Sequence, residues 1–202
     1  MRPSVLISIL DLTKQFVRQA MLLPPDEGAH GGPVAVDGTV GNGRDTLFLA
    51  ELAGEQGHVY GFDIQDAALA NARERLAAAG VAERVTLLHA GHEQAARLIP
   101  AAAHGRVRAA MFNLGYLPGG DKTIVTQPQG TIAALDAVLS MLCVHGIVTV
   151  HVYTGHEGGR AEGVAVFDWA SALPWEAFRV ARYDICNKDR NGEALLVIER
   201  LG

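Results

Sequence analysis

The sequence predicts an α/β domain: a mostly parallel sheet of seven strands with helices on both faces and an antiparallel hairpin at its end. Three observations predict it. Short apolar runs alternate with helix-like segments along the chain, the pattern of βα units that build a parallel sheet. Gly146 to Tyr153 is a near-continuous apolar run, as expected of a strand covered on both faces. The last two strand-like runs, Phe178 to Ile185 and Ala194 to Glu199, are joined by the polar Asn187–Gly192 and read as a hairpin.

The elements follow in order. Between Ser4 and Leu23, apolar residues at Leu6, Ile9, Leu10, Phe16, Val17, Ala20 and Met21 make one stripe of an amphipathic helix that covers an end of the core. Pro24 and Pro25 stop it. A surface loop from Asp26 to Pro33 leads to a strand at 34–37, a helix near 44–53 and a strand at 58–63. Asp66 is placed to cap a helix that ends at Gly80. Val85 to His89 is the third strand, followed by a short helix around Glu93 to Ile99. Val107 to Phe112 is the fourth strand, then come a helix from about Gln129 to Leu142, the fifth strand, and a helix over 161–172. No long linker or repeat interrupts the series, so residues 1–202 are expected to form one domain, with 1–25 as an N-terminal helix packed on it.

Composition sets bounds on function. A chain of 202 residues, 49% hydrophobic, can bury one large core. Its formal charge of −5 gives no global basic field, so contact with RNA would rest on a local patch. Cys143 and Cys186 are far apart without metal-like spacing, and read as reduced thiols of a cytoplasmic protein; no metal site is expected. The apolar run Val5–Leu10 is too short to cross a bilayer and lacks the marks of a signal peptide, so no membrane association is expected.

The first strand opens into Asp37-Gly-Thr-Val-Gly-Asn-Gly-Arg-Asp-Thr46, a glycine-rich loop running into a helix. Glycines let the backbone approach a ligand without Cβ clashes. The loop fails the dinucleotide fingerprint, since the position that needs Gly or Ala is Thr46, and no P-loop Gly-Lys-Ser/Thr occurs. A carboxylate at Asp37 would repel a pyrophosphate but attract the ammonium and sulfonium of S-adenosylmethionine. The second strand ends in Asp63, roughly 20 residues beyond the loop, where a ribose-binding acid is expected. The reading is a methyl donor and not a hydride carrier, with Gly38, Thr39, Gly41, Asn42, Gly43, Asp45 and Thr46 as the cofactor loop.

Past the fourth strand stands Asn113-Leu-Gly-Tyr-Leu-Pro-Gly-Gly-Asp-Lys122, at the sheet edge where open α/β folds carry out their chemistry. The Asn113 carbonyl oxygen, helped by the carbonyls of Leu114 and Gly115, can accept hydrogens of an –NH2 group and aim its lone pair. The Tyr116 ring can stack on a flat base. The stretch is suited to holding an amine on or near a nucleobase.

From Val36 to Arg200 the chain resembles the rRNA methylase family of class I methyltransferases. The resemblance is carried by residues 37–46, by Gly-Phe-Asp-Ile-Gln (61–65), by Gly-His-Glu (91–93), by Phe112 through Lys122 and by Tyr-Thr-Gly-His-Glu-Gly-Gly (153–159). It implies a Rossmann-like class I methyltransferase fold with strand order 3-2-1-4-5-7-6. It also implies methylation of 5-aminomethyl-2-thiouridine at the tRNA wobble position, with S-adenosylmethionine as donor and the anticodon stem-loop as partner. Asn113 and Tyr116 would then be catalytic. Ile64 and Gln65 would border the cofactor with Asp63, and His92 and Glu93 would meet its adenine. Read from the residues themselves, Leu114, Gly115, Lys122, Tyr153 and His156 are candidates for substrate contact, and Arg44, Arg160, Lys188 and Arg190 are candidates for a phosphate-contacting rim. Two departures stand out: Gly192-Glu193 replaces the Pro-Pro usual in the last hairpin, and Lys188-Asp-Arg190 is more charged than the pattern. An rRNA or small-molecule N-methyltransferase and a non-catalytic S-adenosylmethionine sensor are the alternative readings; a homodimer is left open.

Overall fold

A computed structural model describes residues 5–24, 31–115, 126–155, 158–187 and 192–202. Its strands are β1 (Val34–Asp37), β2 (His58–Asp63), β3 (Val85–His89), β4 (Val107–Leu114), β5 (Leu142–Tyr153), β6 (Phe178–Asp184) and β7 (Glu193–Arg200). They form one sheet in the order β3-β2-β1-β4-β5-β7-β6. The first five run parallel, and β7 pairs antiparallel with both β5 and β6. The order is the one implied by the family resemblance. Reversal between β1 and β4 makes the crevice at their carboxyl ends the place for a ligand.

Six α-helices accompany the sheet among the described residues: α1 (Ile9–Met21), α2 (Arg44–Ala53), α3 (Asp66–Ala78), α4 (Ala95–Leu98), α5 (Pro128–Met141) and α6 (Gly159–Ser171). The two-residue period of a strand divides the core between them. In β4, Ala110, Phe112 and Leu114 face a cluster that includes Leu135 and Val138 of α5 and Val166 of α6. Ala109 and Met111 face the opposite cluster, with Val17 of α1 and Leu49 of α2. A central strand of small residues and Phe lets both helical layers come close to the sheet.

Several element ends differ from the expectations. The first helix begins at Ile9 and not Ser4, because the Ser8 hydroxyl caps it by accepting from the Asp11 N–H at 3.1 Å. Leu6 therefore precedes the helix and is 64% exposed, while Leu10 lies within it on the face turned from the core, 52% exposed. Strand β4 continues through Asn113 and Leu114, which pair with His151 and Val152 of β5. Strand β5 starts four residues early, at Leu142, and takes up an irregularity at His145, whose φ is +59°. At the start of α3, Gln65 occupies the N-cap and Asp66 lies in the first turn.

Candidate active site

The carboxyl ends of β1, β2, β3 and β4 frame a cleft of about 320 Å³. Gly38, Thr39 and Gly41 form its floor, Asp63, Ile64 and Gln65 one side, and Gly91, His92 and Glu93 another; Asn113, Gly115, Thr126, Gln127 and Gly130 close it. The expected glycine loop, acidic second strand, third-strand histidine and fourth-strand asparagine thus meet in one place.

Each group is held by a partner remote in sequence. The Asp63 carboxylate accepts from the N–H of Gly41 at 2.8 Å through one oxygen and from the N–H of Gln65 at 2.9 Å through the other. Each oxygen keeps a further lone pair for a ligand hydroxyl. The His92 Nδ1 lies 3.0 Å from the Gly38 carbonyl oxygen. A carbonyl only accepts, so Nδ1 donates to it, and Nε2 is the ring nitrogen left for a ligand. The imidazole also meets the Phe112 ring edge-on, at 5.7 Å between centroids. Gly38 must be glycine for a packing reason: a Cβ there would fall 2.2 Å from Phe112 Cε1.

Asn113 is fixed at both ends. Its backbone N–H donates to the Thr39 hydroxyl at 2.7 Å, and its side-chain Nδ2 donates to Asp45 Oδ2 at 2.8 Å. Because a carboxylate accepts and does not donate, the Asp45 contact determines which end of the amide is nitrogen. The Asn113 carbonyl oxygen has no hydrogen-bond donor among the described residues. Gly115 is held twice by Thr126: its N–H donates to Thr126 Oγ1 at 3.0 Å, and its carbonyl accepts from the Thr126 N–H at 3.2 Å.

Not all candidate residues line the cleft. Asp37 is fully buried beneath the floor, where Oδ1 accepts from the Thr39 N–H at 3.0 Å and Oδ2 from the Thr46 hydroxyl at 2.6 Å. Burial, and next the charge of Asp45, raise its carboxyl from 3.8 to about 7. Thr46 is buried with it. The N–H of Gly43 turns back to the Val40 carbonyl, and Asn42 faces α3, where its side chain accepts from Asn71 and its carbonyl from Arg75. Asp45 reaches the cleft only through Asn113. Tyr153 stands at the end of β5, its ring 4.0 Å from that of His151. Burial, then the nearby carboxylates of Glu193 and Asp45, push its hydroxyl up to about 12. His151 is itself paired with Glu193 at 3.0 Å, so the glutamate that departs from the family pattern sits directly across the sheet from Tyr153. Arg44 and Arg160 are exposed. Tyr116, Lys122, His156, Lys188 and Arg190 lie outside the described residues.

Sequence reasoning missed Thr126, Gln127 and Gly130. The available signal was Gln127-Pro128, a proline at the first helical position, which marks a helix start. It located α5 without indicating that its first turn faces the glycine loop. Among the described residues, no helix is long and apolar enough to cross a membrane, and no cluster of three or more His, Cys, Asp or Glu could hold a metal ion.

Fold and cleft together define a Rossmann-like methyltransferase. The sequence profile of the family described as "Putative rRNA methylase" matches residues 59–199, and the chain belongs to that family. A protein of Arabidopsis thaliana named tRNA (mnm(5)s(2)U34)-methyltransferase, chloroplastic, is 36% identical over 165 residues. These are 78% of this chain and 60% of that relative, so the chain spans less than two thirds of its length. The crystal structure of a protein from Clostridium thermocellum described as "putative rRNA-methylase" superposes with a TM-score of 0.87 at 36% identity, covering 98% of this chain and 100% of the other. A Streptococcus mutans protein described as "a putative methyltransferase", solved in complex with SAH, gives 0.82 at 31% identity with the same coverage. Class I methyltransferases use S-adenosylmethionine, and the donor set of the cleft fits it: an acid with spare lone pairs, a half-buried imidazole, and a floor without side chains.

Proposed function

We propose that this protein is an S-adenosylmethionine-dependent N-methyltransferase acting on tRNA. Its substrate would be 5-aminomethyl-(2-thio)uridine at the wobble position, converted to 5-methylaminomethyl-(2-thio)uridine. The observation that carries the reading is the Asn113 amide, pinned by Asp45 so that its carbonyl oxygen is the group left for the cleft. The name of the Arabidopsis relative supports the same substrate.

S-adenosylmethionine supplies a methyl group on a sulfonium, a leaving group that needs no acid. The protein's task is therefore binding and orientation. Asp63 would receive the ribose hydroxyls of the cofactor, and His92 Nε2 would accept from the adenine amino group. The amine must be neutral to react, yet an alkyl amine resembles lysine, with a reference pKa of about 10.4. Removal from water disfavours its ammonium form. The Asn113 oxygen then accepts one N–H of the neutral amine and directs its lone pair. The Asp45 carboxylate, bonded to the other end of that amide, polarises it and strengthens the acceptor. The carbonyls of Leu114 and Gly115 would complete the cradle, and Tyr116 would border the uracil. Lys122 and His156 are assigned to substrate on the same reading. Tyr153 keeps its proton at neutral pH, so it serves as a hydrogen-bond donor and not as a base. The lone pair of the amine that Asn113 orients would form the new N–C bond as the methyl group parts from the sulfur of the donor, and the resulting ammonium would release its proton to water.

The test is to incubate purified protein and S-adenosylmethionine with bulk tRNA from cells that lack the wobble methyl group, and to identify nucleosides by mass spectrometry. One methyl group gained on 5-aminomethyl-2-thiouridine, lost in Asn113→Ala, is the expected result. Methylation of rRNA or a small amine instead would overturn the tRNA assignment.

A further inference from the structure

Behind the cleft lies a buried glutamate that touches neither cofactor nor substrate in this mechanism. Glu162, in the first turn of α6, is 1% exposed. Its Oε2 accepts from the Thr126 hydroxyl at 2.7 Å and its Oε1 from the Thr131 hydroxyl, also at 2.7 Å. No lysine or arginine among the described residues pairs with it. Burying a carboxylate on two neutral donors is costly, and an apolar side chain would fill the same space more cheaply. The start of α6, where partial positive charge gathers, offsets part of that cost.

What the carboxylate does is set direction. A hydroxyl has one proton, and here Glu162 takes that of Thr126. The Thr126 oxygen must then turn a lone pair outward, and it accepts from the Gly115 N–H at 3.0 Å. The Thr126 N–H returns to the Gly115 carbonyl, closing a two-bond ring. Gly115, with φ +138°, is held there two residues from Asn113. The other oxygen of Glu162 fixes Thr131, one turn into α5, whose N-cap Gln127 and first-turn Gly130 line the cleft. One side chain from α6 thus ties the end of β4 to the start of α5.

We propose that Glu162 is a positioning residue for methyl transfer, which orients the Asn113–Gly115 cradle through Thr126 and the facing wall through Thr131. The inference rests on reading the cleft as the site of methyl transfer. Its experiment compares wild type with Glu162→Leu, Glu162→Gln and Thr126→Val. Amide exchange at Gly115 and Thr126, followed by NMR, needs no substrate and should quicken roughly tenfold or more in Glu162→Leu, with β1 and β2 unaffected. On the tRNA substrate, kcat should fall on the order of 10- to 100-fold, with KM and affinity for S-adenosylhomocysteine held within about threefold. Glu162→Gln, which keeps one acceptor, should recover part of that loss. If Glu162→Leu does not fold, Thr126→Val carries the test, because it removes only the hydroxyl bridge. Wild-type exchange at Gly115, or wild-type kcat, in the folded variants would overturn the proposal. Absence of turnover by the wild type on every RNA would refute the substrate reading alone, and amide exchange would still decide the role of Glu162.

Discussion

Replacing Asp37 by asparagine gives a direct reading of the charge beneath the glycine loop. The side chain is fully buried, and its carboxyl is raised from 3.8 to about 7, first by burial and then by Asp45. A raised acid holds its proton in the folded state after the unfolded chain has lost it. Its contribution to stability is therefore complete below pH 3.8 and is lost as pH rises through the folded value near 7. At about 1.4 kcal/mol per pH unit, the full span amounts to about 4 kcal/mol. Linkage between pH 5 and pH 8 assigns about 2.5 kcal/mol of declining stability to this one group. The amide introduced by Asp37→Asn is neutral at every pH and nearly the same shape, so its carbonyl can still accept from Thr39. The assay is urea unfolding of wild type and variant at half-unit steps from pH 5 to 8. Every other titratable group is common to both proteins, so the difference between the two isolates residue 37. Wild-type stability should fall relative to the variant by about 2.5 kcal/mol over that range. Parallel curves would refute the argument that a buried, proton-holding carboxyl lies under the loop.

The remaining predictions concern the cleft. Asp63→Ala removes the acceptor placed for the ribose and should weaken S-adenosylhomocysteine binding by roughly tenfold or more, measured by calorimetry; unchanged affinity removes Asp63 from that role. Asn113→Ala should lower single-turnover methyl transfer on the order of 100-fold while sparing cofactor affinity, and equal rates would sink the amine cradle. Asp45→Ala should lose part of the same rate, and the double variant should be no slower than Asn113→Ala; additive losses would show that Asp45 does not act through the amide. Gly38→Ala would set a Cβ 2.2 Å from Phe112. It should cost roughly 1–3 kcal/mol in unfolding experiments, as overpacked cores do.

Much of this site was legible in the sequence because strands announce themselves by pattern. Asp37, Asp63 and Asn113 lie at or near the ends of apolar runs, and parallel strands bring such ends to one edge. That pattern placed the loop, the acid and the asparagine together, and the family resemblance added His92. The bonds that give each its direction were not legible. Asn113 is bonded to Asp45 from 68 positions away and to Thr39 from 74. Asp37, read as facing the ligand, lies under the floor, since a four-residue strand buried at every position turns its terminal side chain inward. The first helix was overextended because Leu6 continued the apolar stripe, whereas the Ser8 cap was the stronger local signal.

The sequence by itself determined the succession of strands and helices along the chain, the glycine loop, the acid at the end of the second strand, and the amide at the fourth strand end. These depend on local periodicity and on the chemistry of single side chains. Tertiary structure decided which end of the Asn113 amide is bonded to Asp45, that burial raises the Asp37 carboxyl, and that Glu162 reaches Thr126 and Thr131 from another helix. The reason is physical. Hydrogen-bond direction and desolvation arise only where the sheet register and the helix packing bring remote groups within about 3 Å and exclude water between them.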